Sequence, residues 1–217
     1  MASIFVNAAE RGSVSRSSEG TQLQLRGSRD GALFVADWYD AHAMEGRVFS
    51  ANMGGVTTPL TFLITLANRP DAWIRVPDGT MILPLSAHVV LEDYAGTDTE
   101  IDMRIAQNDI GNGTSSAATV GPVSMRTDAP VTSNCVARQL ATGDATAETN
   151  PMTIWRAEVS TANAAGNDAA GFHHITRAEM GYPVLVGPST WELFVAATTT
   201  QATGYVIMTW VEFPERS

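Results

Sequence analysis

The 217-residue chain predicts an all-β fold, a jelly-roll β-sandwich of two antiparallel sheets with long loops. Three observations carry that expectation. Apolar and polar side chains alternate over about eight short stretches. Turn residues punctuate those stretches. No long amphipathic helix and no repeat of fixed period interrupts them.

Residues 1–29 read as an N-terminal arm or irregular lead-in, rich in Ser, Gly and Arg after the short apolar patch Ile4-Phe5-Val6. Residues 30–217 form the predicted jelly-roll domain. Asp30-Gly31 marks a turn, and ALFVADWYDAHAME (32–45) opens like a strand before taking helical spacing, with Asp37 placed as an N-cap. Arg47 to Met53 puts Phe49, Ala51 and Met53 on one face, and Gly54-Gly55 ends that strand. Leu60, Phe62, Ile64 and Leu66 alternate with polar neighbours to give the next.

The centre of the chain is WIRVPDGTMILPLSAHVVLE (73–92), two strands joined by a tight turn. Pro77 presets φ for the turn's first corner, Asp78 bonds its own backbone, and Gly79 supplies the left-handed residue. Beyond it, Met81, Leu83, Leu85, Ala87, Val89 and Leu91 are expected on one buried face. Pro84, Ser86, His88 and Glu92 are expected on the other, with Ile82 and Val90 as exceptions. Pro84 has no N–H to give a ladder, which calls for a sheet edge or a bulge at that point.

Ile101, Met103 and Ile105 define a further, half-exposed strand over 100–107. Residues 108–130, 141–151 and 161–171 are small and polar and read as surface connections, with strands at 133–140 and 152–159 between them. Trp191, Leu193, Val195 and Ala197 share a face, as do Tyr205, Ile207, Thr209, Val211 and Phe213. Those two runs predict a closing antiparallel hairpin. An immunoglobulin-like sandwich fits less well, because its Cys–Trp–Cys pattern is absent.

Composition narrows the function. The formal charge is −10, and all 13 basic residues are arginine. Without a basic run, the chain is not expected to bind nucleic acid directly. No stretch reaches the ~18 apolar residues of a membrane span, and the N-terminus lacks the basic segment of a secretory signal. Synthesis in a cytoplasm is the expectation. Cys135 is the single cysteine, so no internal disulfide forms and the residue is expected to pack as a small hydrophobe.

No constellation of residues spells out an enzyme. His173-His174 are adjacent, so on a strand they point to opposite faces and share no ion. His88 and Glu92 share a face four residues apart. Metal-binding jelly rolls of the cupin family carry two histidines one residue apart; here Ser86-Ala87-His88 lacks the first. No nucleophile elbow or phosphate-binding glycine loop is present, and no cofactor or metal is expected. Trp73, Trp155, Trp191 and Trp210 fall in strands and are expected in the core. Trp38-Tyr39, with Ile4, Phe5 and Val6, are the candidates for contact with a neighbouring subunit.

The runs DGALFVADWYDAHAMEGRVFSANMGGVTTPLTF, WIRVPDGTMILPLSAHVVLED and GYVIMTWVEF together resemble structural proteins of bacterial viruses. The resemblance implies a jelly-roll virion component, a capsid shell subunit or head-decoration protein made in the host cytoplasm. Its partners would be copies of itself and other capsid proteins. It assigns no functional residues. A carbohydrate- or receptor-binding module of a phage fibre is the alternative, and a cupin-like metalloenzyme the second.

Overall fold

The computed structural model describes residues 5–7, 22–24, 38–63, 70–93, 98–111, 118–139, 148–159, 171–197 and 201–214. In chain order the elements are β1 (Phe5–Asn7), β2 (Gln22–Gln24), α1 (Trp38–Met44), β3 (Val48–Met53), β4 (Leu60–Thr61), β5 (Ala72–Val76), β6 (Thr80–Asp93) and β7 (Thr99–Ala106). They continue with β8 (Ala118–Val120), β9 (Val123–Ser124), β10 (Val136–Gln139), β11 (Met152–Val159), β12 (Gly171–Thr176), β13 (Leu185–Val186), β14 (Ser189–Ala197) and β15 (Thr203–Pro214).

One sheet runs β11-β7-β14-β5-β10-β8 and the other β12-β6-β15-β3-β9, with β13 added to β6 and β4 to β15. Eight strands carry the topology: β3, β5, β6, β7, β11, β12, β14 and β15. The first pairs with the last, the second with the seventh, the third with the sixth and the fourth with the fifth, all antiparallel. This nesting, folded over into two sheets, is the jelly-roll path. The expected fold class is therefore correct.

The interior is apolar from both sides. Phe49, Ala51 and Met53 of β3, Ala87, Val89 and Leu91 of β6, and Val206, Met208 and Trp210 of β15 form one inner face. Ala72, Ile74 and Val76 of β5, Ile101 and Met103 of β7, and Trp191, Leu193 and Val195 of β14 form the other. Each large side chain so buried contributes roughly 1.5–3 kcal/mol, so the alternation fixes register in both sheets.

The turn at Pro77–Gly79 closes as expected, with Thr80 N–H donating to Pro77 C=O at 3.2 Å and Gly79 at φ 75°. It passes the chain from one sheet to the other, because β5 and β6 have different partners. The same correction applies to the predicted closing hairpin: β14 lies between β7 and β5, while β15 lies between β6 and β3. Alternation tells which face a strand buries, and it is silent on which strand lies beside it.

Pro84 does sit at a bulge. Thr209 pairs with Ser86 but Trp210 pairs with Pro84, so Leu85 is an extra residue in β6. Pro84 also falls between the stretches of β6 that pair with β13 and with β12. The extra residue reverses the facing of the strand's first half: Ile82 joins the main core, while Met81, Leu83 and Leu85 turn outward. The expected single face from Met81 to Leu91 is thus broken at the proline. On β15, Tyr205, Ile207, Thr209, Val211 and Phe213 do share a face, but it is the outer one.

Other expectations are amended. The stretch 108–130 contains β8 and β9, the strand at 133–140 is limited to β10, and β1 and β2 pair within the predicted arm. Residues 64–69, including Ile64 and Leu66, and Asp37 lie outside the described residues, so the strand after Leu60 and the proposed N-cap are not followed further. β7 is not half-exposed, since Asp102 on its outer face is fully buried. Trp73, Trp191 and Trp210 are fully buried, Trp155 is half-buried, and Cys135 is buried.

Candidate subunit interface

The outer surface of the seven-stranded sheet carries α1. Below it, Val48, Val211 and Phe213 form a small second core with Ala43, Met81, Leu83 and Leu85. Met81, Leu83 and Leu85 are the side chains that the Leu85 bulge turns outward, so the bulge supplies part of the apolar floor on which the helix rests. His42 is the buried helical residue; its ring packs edge-on against Phe213 at 5.0 Å and against Trp38 at 4.6 Å. Its Nδ1 lies 3.3 Å from Glu45 Oε2, which also accepts from Arg47 Nε at 2.9 Å.

Gly46 ends the helix at φ 74°, with its N–H donating to Ala43 C=O and Arg47 N–H donating to His42 C=O. A Cβ on Gly46 would stand 2.8 Å from Val131 Cγ2, which packs the 125–131 segment against the helix end.

Both ends of α1 present apolar side chains to solvent. At the first, Trp38 is 43% and Tyr39 38% exposed, next to Tyr182 at 63%. The Arg177 guanidinium lies 5.8 Å from the Trp38 ring and 5.5 Å from the Tyr182 ring. Exposed contacts of this kind are worth about 0.5–1 kcal/mol and hold the rings in place. At the second end, Met44, Met125 and Val131 are exposed. Ala43, Met44, Met125, Arg126, Thr127 and Asp128 line a groove of about 460 Å³. Arg126 ties its wall together, donating to Met44 C=O at 2.7 Å and to Asp128 Oδ1 at 2.9 Å.

Of the predicted contact residues, Trp38 and Tyr39 are therefore on the surface, at the start of α1. Phe5 and Val6 lie in β1, opposite Gln24 and Leu23 in a two-stranded sheet separate from the two large ones. Ile4 lies outside the described residues. Sequence reasoning missed Met44, Met125, Arg177 and Tyr182. Their role depends on which loops meet the helix, and no local pattern encodes that.

His173 and His174 point to opposite faces, as their adjacency requires. His173 packs edge-on against Trp155 at 5.6 Å, on the inner side, whereas His174 is exposed and stacks on His88 at 4.1 Å. Burial, and then the charge of His174, hold His88 below the ordinary histidine range; burial alone does the same to His173. Among the described residues, no group of three or more His, Cys, Asp or Glu converges on a point.

The outer face of the six-stranded sheet carries a polar cluster centred on two fully buried carboxylates, Asp102 and Glu192. Asp102 accepts from Arg104 Nε at 2.6 Å and from Arg156 Nη2 at 3.0 Å. Burial pushes its carboxyl up, but the Arg156 and Arg104 hydrogen bonds and charges outweigh that and hold it below its usual range. Glu192, fully buried on the neighbouring strand, goes the other way: burial and the adjacent Glu148 carboxylate push it up to about 9. Arg104 stands 3.7 Å from Glu148 and 4.5 Å from the Phe194 ring. Asp102 and Glu192 are enclosed while Arg156 reaches solvent, an arrangement that suits a structural layer.

Together these features define a jelly-roll sandwich that carries a short helix, edged by exposed apolar side chains, on the outside of one sheet. No described helix is long and apolar enough to cross a membrane. Comparison with protein-family models, with curated proteins and with solved structures finds no match.

Proposed function

We propose that this chain is a non-enzymatic structural subunit that assembles with copies of itself, a shell or head-decoration component of a bacterial virus. One observation carries the reading: on the jelly-roll body, Trp38, Tyr39 and Tyr182 at one end of α1 and Met44 and Met125 at the other are exposed together. Apolar groups gathered on one surface mark contact with another macromolecule. The resemblance of the three sequence runs to phage structural proteins names the kind of assembly. The net charge of −10 makes copies repel at long range, so contacts centred on apolar side chains strengthen as salt screens that repulsion.

Electron microscopy of assembled particles tests the proposal. The expected map places α1 and its flanking rings between subunits. A map with this surface bare, or a protein that never enters a particle, overturns it. The fibre-module reading draws on the same exposed rings of Trp38 and Tyr182, and glycan-array binding lost on Tyr182→Ala would favour it instead.

A further inference from the structure

Outside the helix surface, the seven-stranded sheet brings two imidazoles together. His88 of β6 and His174 of β12 are direct cross-strand partners, and their rings stack at 4.1 Å with planes 18° apart. We infer that His88 and His174 form a two-histidine site for a borderline first-row divalent cation such as Zn²⁺.

Several features favour this chemistry. No hydrogen bond holds either ring to a neighbour among the described residues. Neutral imidazole nitrogens are preferred ligands for zinc, copper and nickel. Two nitrogens on tetrahedral zinc, each at 2.0–2.1 Å, stand about 3.3 Å apart. In the stack the near-parallel rings aim their in-plane lone pairs alongside one another, so a shared ion requires the exposed His174 ring to turn out of the stack and converge with His88. The two strands fix the Cβ positions, so little order is lost on binding.

The surroundings fit a cation. Glu179 lies just beyond β12, and its hydrogen bonds from Thr176, with the His174 charge a smaller contribution, hold its carboxyl below the usual range. Its Oε2 is held by Thr176 N–H at 2.6 Å and Thr176 Oγ1 at 2.8 Å, which fixes a negative charge at the end of β12, two residues beyond His174 on that strand. Phe172, 6.0 Å from His88, covers one flank, and Ile207 on β15 is the cross-strand neighbour on the other. Two protein ligands leave the remaining coordination positions to water. The site lies on the outside of the sandwich, on the face opposite Ala87 and Val89.

Isothermal titration of untagged, chelator-stripped protein with ZnCl₂ near neutral pH tests the inference. The expected result is one-site binding by the natural chain and by His173→Gln, whose ring faces inward. Binding should weaken by more than about tenfold in His88→Gln and in His174→Gln, at least what loss of a supporting residue costs at natural sites. Ca²⁺, which prefers oxygen ligands, should not bind there. His174 is exposed, so His174→Gln keeps its fold and is decisive alone. Absence of zinc binding by the natural chain, or undiminished binding by His174→Gln, overturns the site.

Discussion

Pro84 of β6 stands opposite Trp210 of β15, one residue out of step with the Ser86–Thr209 pair next to it. That single step sends Ile82 into the main core and turns Leu83 out beneath α1. Ile82 is fully buried and Leu83 only partly. Ile82→Ala should therefore lower stability by about 2–5 kcal/mol, and Leu83→Ala by clearly less. Urea unfolding of both variants measures the difference; equal losses would contradict the bulge.

Asp71 is fully buried and accepts two backbone N–H groups, Leu63 and Val195, each at 2.8 Å. Burial pushes its carboxyl up to about 8 against the pull of those two bonds. Asp71→Ala orphans both donors, at about 1–3 kcal/mol for each buried group left unsatisfied. Asp71→Asn keeps an acceptor and should lose less. Denaturant midpoints at mildly acidic pH check that order.

Glu192 sets a pH dependence. Its folded pKa of about 9 exceeds the ordinary 4.5, so the folded chain retains a proton that the unfolded chain releases in that window. Stability from this group is full below about pH 4.5, falls as pH rises and levels off above about 9. Asp102 and Asp109, held below the ordinary 3.8 against the upward push of burial by Arg156 and Arg104 and by Arg75, give stability that is lost as acid protonates them. Glu192→Gln should leave melting at pH 5 little changed and raise it at pH 8. Thermal melts at both pH values test this, and a Gln variant with the natural chain's pH slope would refute the assignment.

At Gly204, β15 lies close against the backbone of β6. A Cβ there would lie 1.9 Å from Val90 C=O, so the backbones themselves would have to part. Gly204→Ala should destabilise the fold strongly, whereas Gly79→Ala, with open space around it, meets only the strain of its φ of 75°. Circular-dichroism melts of the two variants should show the larger drop for Gly204→Ala.

Much of the fold was legible because burial on one face leaves a period of two. Phe49, Ala51 and Met53, and Trp191, Leu193 and Val195, lie inward as their spacing requires, and Pro84 announced its bulge through its missing N–H. The consequence of the bulge was hidden, since Leu83 and Leu85 are as apolar as Ala87 and Val89 and their reversal comes from one unpaired residue. Partnering was equally hidden. β14 and β15 look like a hairpin because they are neighbours in sequence, yet each pairs with strands more than 80 residues away. The exposed Trp38-Tyr39 pair could be picked out, while Arg177, Tyr182 and the His88–His174 stack needed the register of β6 with β12 and the path of its loops.

Sedimentation velocity over a wide concentration range tests self-association most directly, with natural chain and a Trp38→Ser, Met44→Ser double variant side by side. The natural protein should form assemblies of defined size that grow with salt, and the variant should remain monomeric while still unfolding cooperatively, its melt lowered only by the lost Trp38 contacts to His42 and Arg177. A natural chain that stays monomeric at every concentration and salt level would contradict the account.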